Sequence, residues 1–265
     1  ICHHQGMFQI IMLKKIIAHR GESYDAPENT LSSINLAWQR NVVAVEIDIR
    51  LTQDLEIVVI HDKNTKRLSG QNKTIKTSTL EQLRALSIGI HKAKKWESER
   101  IPTLSEVLQT VPEEGKLIIE IKSDDSILPI LKKEIYSSGL KNNQIEIIAF
   151  RFSTLVKAKT IMPEFRMLWL LSLDYYLPSM FTFLNTNRII KKLINHNIDG
   201  INVWAGKILT NEFIRKFKDK GFVVYTWTVN DPEKASFLLD AGIDGLTTDR
   251  ASWMSKELLL MTNSL

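Results

Sequence analysis

The feature that most constrains this chain is a series of short Ile- and Val-rich runs that carry charge only where they end. One such run ends in His19-Arg20-Gly21, a second in Glu46-Ile47-Asp48, a third in His61-Asp62, and a fourth, KLIIEIK, in Glu120 and Lys122. Apolar runs of this length read as strands buried on both faces. An unpaired charge inside such a strand is costly. Charge gathered at strand ends is the pattern of a parallel α/β barrel, which assembles its active site at the C-terminal ends of its strands.

Amphipathic helices separate the runs. Glu28-Asn29-Thr30 opens one through Arg40, with Leu31, Ile34 and Trp38 on its apolar side. Pro102-Thr103-Leu104 begins another, and further helices are expected at 126–138, 153–160, 186–196, 210–220 and 231–240. Strands are expected at 44–50, 56–60, 116–122, 165–171 and in the runs IEIIAF, GINV and FVVYTWTV. The segments HNIDGINV (196–203) and AGIDGLTT (241–248) repeat one local pattern: helix end, Ile-Asp-Gly, short apolar strand. About eight strands alternating with helices argue for a parallel sheet with right-handed crossovers. No Gly-rich phosphate fingerprint is present, and polar strand ends come from both halves of the chain. A closed (β/α)8 barrel of the α/β class therefore fits better than an open sheet. Lys63 to Arg100, with a Leu80-Leu83-Leu86 stripe, reads as a loop-rich excursion over the mouth after the second barrel strand.

The 265 residues suit one such barrel as a single domain. Residues 14–265 are assigned to it as the catalytic domain. Residues 1–13, which include His3 and His4, are set apart as an N-terminal extension of the kind that cloning can add. The net charge is +5, yet no Lys/Arg block with interleaved aromatics occurs, so nucleic-acid binding is not expected. The one cysteine, Cys2, rules out a disulfide framework and agrees with a cytoplasmic location. No apolar run reaches about 18 residues, so no transmembrane helix is expected. The stretch 167–184, with Trp169, Tyr175, Tyr176, Met180, Phe181 and Phe183, reads as a barrel strand plus a packed helix. Its alternative is a lid that makes peripheral membrane contact.

The second strand sharpens the chemistry. Side chains alternate with period two, so Glu46, Asp48 and Arg50 share one face. Two inward carboxylates repel each other unless a hard cation such as Mg²⁺ or Ca²⁺ lies between them. Taken alone, this pattern is equally that of a solvated edge strand. The other polar residues at expected strand ends are His19, Arg20, His61, Glu120, Lys122, Asn202, Trp227 and Asp249. Together they suit a phosphodiester: cations for its oxygens and a histidine pair for acid and base. Singly, each also fits a plainer role. His19 could be packing, Glu120 and Lys122 a structural ion pair, Trp227 core, Asn29 a helix cap and Asp62 a loop support.

The motifs HRG, PENT, EID, HD, EIK and WTVN, in this order, resemble the glycerophosphodiester phosphodiesterase family over Ile17 to about Asp249. The resemblance implies a TIM-type barrel, one divalent cation (Mg²⁺ or Ca²⁺), and hydrolysis of small glycerophosphodiesters to glycerol 3-phosphate and an alcohol. Carried over by motif, Glu46, Asp48 and Glu120 would be metal ligands, and His19 and His61 the acid/base pair. Arg20 and Lys122 would hold phosphate, with Asn29 at the site and Trp227 beside the glycerol. The pair's roles stay open; one assignment makes His19 the base and His61 the acid. Attack by water and attack through a cyclic phosphate also stay open. The turn Gln53-Asp54-Leu55-Glu56 replaces the usual Asp-Gly, and Ala251 replaces the usual Pro after TDR. Neither departure is expected to touch the catalytic set. Two rival readings stand beside this one: a lysophospholipase D, and an inactive barrel that binds phosphodiesters or a protein partner.

Overall fold

The computed structural model describes residues 12–173 and 182–263. Nine strands follow in chain order: β1 (Ile16–His19), β2 (Ala44–Leu51), β3 (Ile57–Val59), β4 (Lys116–Ile121), β5 (Ile145–Ala149), β6 (Arg166–Leu171), β7 (Gly200–Trp204), β8 (Val223–Trp227) and β9 (Gly245–Thr248). All but β3 pair in parallel, and β1 joins both β2 and β9, which closes an eight-stranded barrel. The single-domain (β/α)8 expectation is met.

The run expected as a strand at 56–60 differs. It shortens to β3, which pairs antiparallel with β2 through Ile49–Val59 and Leu51–Ile57. The connection from Leu51 to Ile57 is far too short for a parallel crossover, which needs a dozen or more residues, so the chain turns back as a hairpin. His61 therefore reaches the mouth from a hairpin arm, not from a barrel strand.

Strand alternation sorts the apolar residues into two cores. Val45, Ile47 and Ile49 point outward into the layer between strands and helices. Ile17, Ala44, Ile118, Ile148, Leu168, Leu170 and Tyr225 fill the barrel interior. Tyr225 fits because β9 starts with glycine: a Cβ on Gly245 would lie 2.7 Å from the ring. These apolar layers form a floor beneath the polar mouth.

The repeated Ile-Asp-Gly pattern has a structural cause. Asp199 accepts from Lys159 Nζ (2.8 Å) and from Met167 N (2.7 Å), and its own N–H donates to Met167 O (3.0 Å). Asp244 repeats this with Lys218 (2.6 Å), Val224 N (2.9 Å) and Val224 O (2.8 Å). Each aspartate ties the start of its own strand to the start of the preceding one. The glycine after Asp199 is required by crowding, since a Cβ there would lie 2.0 Å from Val223 O.

The excursion shares a small core with the hairpin arm: its Leu68, Ile75, Leu83 and Ile88 are buried together with Val58, Ile60 and Ile101. It is pinned to the barrel by Lys92 Nζ on Ser23 O (2.7 Å) and Ser32 Oγ on Glu99 (2.5 Å). In the stretch 167–184, Trp169 packs on Phe152 at 4.5 Å, and a helix runs over Thr182–Asn195. The rest of the proposed lid, 174–181, lies outside the described residues, as do residues 1–11. No helix among the described residues is long and apolar enough to cross a membrane.

Candidate active site

The site grows from two neighbouring strands. β2 and β4 pair with Asp48 opposite Glu120, and β1 sets His19 opposite Glu46. Parallel register brings Glu46, Asp48 and Glu120 together, with carboxylate oxygens within 4.8 Å of one another. All three are buried, at 3%, 0% and 7% exposure. Burial, with repulsion from Asp48 and Glu120, raises the Glu46 carboxyl well above its ordinary value. Burial and Asp48 push Glu120 up to about 7. Burial also acts against the Asp48 charge, but Arg20 and Lys122 outweigh it and lower its pKa.

Three clustered carboxylates, two of them resisting ionisation, are a donor set suited to a hard divalent cation. Asp48 Oδ1 and Glu120 Oε1 have no aligned hydrogen bond; each faces only Lys122 Nζ as an ion pair, at 3.2 and 2.6 Å. Such oxygens retain lone pairs for a metal. Residues and group therefore fit, and Glu46, Asp48 and Glu120 are the side chains that would hold it.

Local backbone explains the HRG and PENT motifs. Arg20 adopts φ 56° and Gly21 φ 80°, so the chain swings off β1 in left-handed conformation. A Cβ on Gly21 would meet Ser33 backbone at 2.5 Å, which only glycine avoids. The turn aims Arg20 inward: Nε lies 2.9 Å from Asp48 Oδ2, Nη1 donates to Glu28 (2.8 Å), and its backbone N–H donates to Glu46 (3.2 Å). Asn29 is not the helix cap; Thr30 is, with Ser33 completing the capping box. Asn29 takes φ 57°, which asparagine tolerates. Its amide donates to Asp48 Oδ2 (2.9 Å) and accepts from Asp48 N (3.1 Å), gripping one acid at two points.

Each imidazole stands on a carboxylate. His19 Nδ1 donates to Asp249 Oδ1 (2.6 Å), and His61 Nδ1 to Asp62 Oδ1 (2.8 Å). This fixes the ring and leaves Nε2 as its free nitrogen. Burial works to raise Asp249, but the hydrogen bond from His19 wins and holds it at about 2. Burial lowers His61, and Arg20 and Lys122 assist against the opposing pull of Asp48. Arg67, from the excursion, joins Asp62 (2.7 Å) to Glu28 (2.7 and 2.8 Å), which links His61 to Arg20 through charged groups. Arg50 shares the face of Glu46 and Asp48. Its guanidinium donates to His61 O (2.9 and 2.6 Å) and Lys122 O (3.3 Å), clamping the backbone of both.

Trp227 lies half-buried at the end of β8 and packs edge-on against Phe150 at 5.6 Å. Lys122 Nζ lies 5.7 Å from the Phe150 ring, so this aromatic pair borders the charged cluster. Asn202, grouped above with the strand ends, is buried below Trp227, whose indole donates to its carbonyl (3.4 Å). The structure thus gathers the carboxylate trio with Arg20, Lys122 and Asn29, and sets His61 and the aromatic pair around them. Sequence reasoning gave no role to Glu28, Arg67 or Phe150, and treated Asp62 as a loop support. Asp249 was counted among the polar strand ends but given no role of its own, and it is the partner of His19. The only signal was a carboxylate one residue past a strand.

Fold and mouth together define a barrel enzyme built for an anionic substrate. The profile of the Glycerophosphoryl diester phosphodiesterase family matches residues 19–252, and the chain belongs to that family. The Bacillus subtilis protein YhdW is 30% identical over 244 residues, covering 91% of this chain and 97% of YhdW. A glycerophosphodiester phosphodiesterase of Caldanaerobacter subterraneus is 28% identical, covering 88% of this chain and 93% of its own. A phosphodiesterase of Oleispira antarctica, solved with the product sn-glycerol-3-phosphate, superposes with TM-score 0.83 at 26% identity, covering 92% and 96% of the two chains.

Proposed function

We propose that this protein hydrolyses glycerophosphodiesters to sn-glycerol 3-phosphate and an alcohol. The observation that carries the proposal is the buried carboxylate trio beside Arg20 and Lys122, with two carboxylate-backed histidines at the same mouth. A divalent cation, Mg²⁺ or Ca²⁺, held by Glu46, Asp48 and Glu120 would neutralise charge on the phosphoryl oxygens. Arg20 and Lys122 hold the remaining phosphate oxygens, the first as a fork and the second as a point charge. Asn29 keeps Asp48 in place, and Trp227 with Phe150 walls the glycerol side.

His61 serves as the base in this reading, because its lowered pKa favours the neutral imidazole near pH 7. It accepts the proton of the attacking hydroxyl as the new P–O bond forms. His19 donates its proton to the leaving alkoxide as the old P–O bond breaks. This reverses the assignment entertained from sequence. The attacking hydroxyl belongs to water or to the substrate's own glycerol, and a trapped cyclic glycerophosphate identifies the second route.

The test combines leaving groups with variants. His19→Ala and His61→Ala each lower kcat on glycerophosphocholine by about 10²–10⁴. A diester with a p-nitrophenolate leaving group needs no acid, so it restores rate to His19→Ala and not to His61→Ala. Rescue of His61→Ala alone would reverse the roles. Wild-type protein inert with either cation on every glycerophosphodiester would support the inactive barrel instead. Strong preference for lysophosphatidylcholine would replace the substrate class with lysophospholipids.

A further inference from the structure

A cavity of about 730 Å³ lies where the link 40–43, ahead of β2, meets the first turns of the helix Ala251–Asn263. None of the residues assigned to the reaction lines it. Its volume is in the range of ligand sites. We propose that it binds a phosphate-bearing anion.

The central observation is Arg250. Its guanidinium lies over two rings, with its carbon 4.0 Å from the centre of Tyr24 and 4.1 Å from that of Trp253. Among the described residues it has no hydrogen-bond or ion-pair partner. Stacking uses the faces of the guanidinium and leaves the N–H donors at its edge unspent. A side chain so fixed has already lost its rotamer freedom, so an oxyanion that meets it costs little further ordering. Lys14 and Lys256 line the same cavity and also have no partner among the described residues.

The two carboxylates of the cavity do not compete for these cations. Glu22 accepts from Ser252 N (2.7 Å) and faces Arg40 at 3.5 Å, and Asp25 is also paired with Arg40. Three uncommitted cations therefore face one space, which calls for a ligand carrying more than one negative charge. Phosphate forks well onto arginine and takes lysine as a point charge. The apolar wall, Leu13, Val42 and Leu259, offers room for an organic substituent on the phosphate. The cavity also touches the reaction machinery through the backbone, since Tyr24 N donates to Asp249 O (3.0 Å), one residue before Arg250.

The probes are inorganic phosphate and hexyl phosphate, titrated in EDTA into protein labelled with fluorotryptophan. The Trp253 resonance is assigned with Trp253→Phe. It should move saturably with a Kd of about 1 mM or tighter. Arg250→Met should weaken that response at least about tenfold, the scale of a lost charge-assisted hydrogen bond. Lys256→Met, an exposed change that keeps the stack, should weaken it by a smaller factor and covers the case in which Arg250→Met does not fold. Hexyl phosphate binding about tenfold tighter than phosphate places an organophosphate on the apolar wall. Equal affinities assign the cavity to the phosphate group alone. A Trp253 signal unmoved at about 10 mM of either probe overturns the proposal. So does a midpoint identical in wild type and both variants.

Discussion

His19 and His61 are held alike, each with Nδ1 on an aspartate, and this makes Asp249 and Asp62 positioning residues. Asp249→Asn keeps the size and removes the charge that stabilises an imidazolium. It should lower kcat about tenfold or more, leave KM nearly unchanged, and shift the pH–rate profile. An unaltered profile would make the contact merely structural. Glu120 supports a pH prediction. Its folded value of about 7 lies above the ordinary 4.5, so its contribution to stability is present below pH 4.5 and is lost as pH rises through about 7. His61 runs the opposite way, since its value is lowered from 6.5, and stability from that group grows as pH rises. Comparing wild type with Glu120→Gln in EDTA separates the two. The wild-type Tm relative to the variant should fall between pH 4.5 and about 7. Added Mg²⁺ or Ca²⁺ should raise the wild-type Tm more at about pH 8 than at about pH 5, because the cation needs ionised carboxylates.

Among the elements, the Ile-Asp-Gly junctions ahead of β7 and β9 lock adjacent strands into register. Asp199→Ala and Asp244→Ala each remove an acceptor for a backbone N–H and a lysine. Each should lower unfolding free energy by about 1–3 kcal/mol in urea titration while leaving KM intact. Loss of activity without loss of stability would contradict this reading. The junctions were visible as a repeated pattern, but their purpose was not, since their partners lie in the preceding strand and helix. Strand positions were legible because each barrel strand is a compact apolar run. Pairing direction was not carried by the run at 56–60, whose Ile and Val would suit a strand of either sense. The short link from β2 was the available clue, because the five residues between Leu51 and Ile57 leave no space for a crossover helix. The first helix was opened at Glu28, ahead of its actual start at Leu31, for a related reason. Glu28 and Asn29 look like capping residues, but their side chains are drawn to Arg20 and Asp48, and Thr30 caps instead.

The whole molecule brings its reactive groups from four distant stretches to one mouth. Those that end barrel strands were readable, because a charge that closes an apolar run must find a partner or a ligand at the strand's end. Arg67 was not, since its excursion is rich in charge and its bond to Glu28 spans 39 positions. A cation held by Glu46, Asp48 and Glu120 would join β2 to β4, so it should stabilise the entire fold, by about 2.7 kcal/mol at a hundred times its Kd. Glu46→Gln should abolish most of that gain in a thermal titration with EDTA and Mg²⁺ or Ca²⁺. The barrel closes where β1 meets β9, and the His19–Asp249 bond lies across that seam, between residues 230 apart. Synthesis proceeds from one edge of the seam to the other. A chain synthesised only as far as β8 therefore carries Glu46, Asp48 and Glu120 but still lacks the carboxylate that holds His19. Turnover at the full rate would then wait on the docking of β9, the strand that both seals the barrel and delivers this carboxylate.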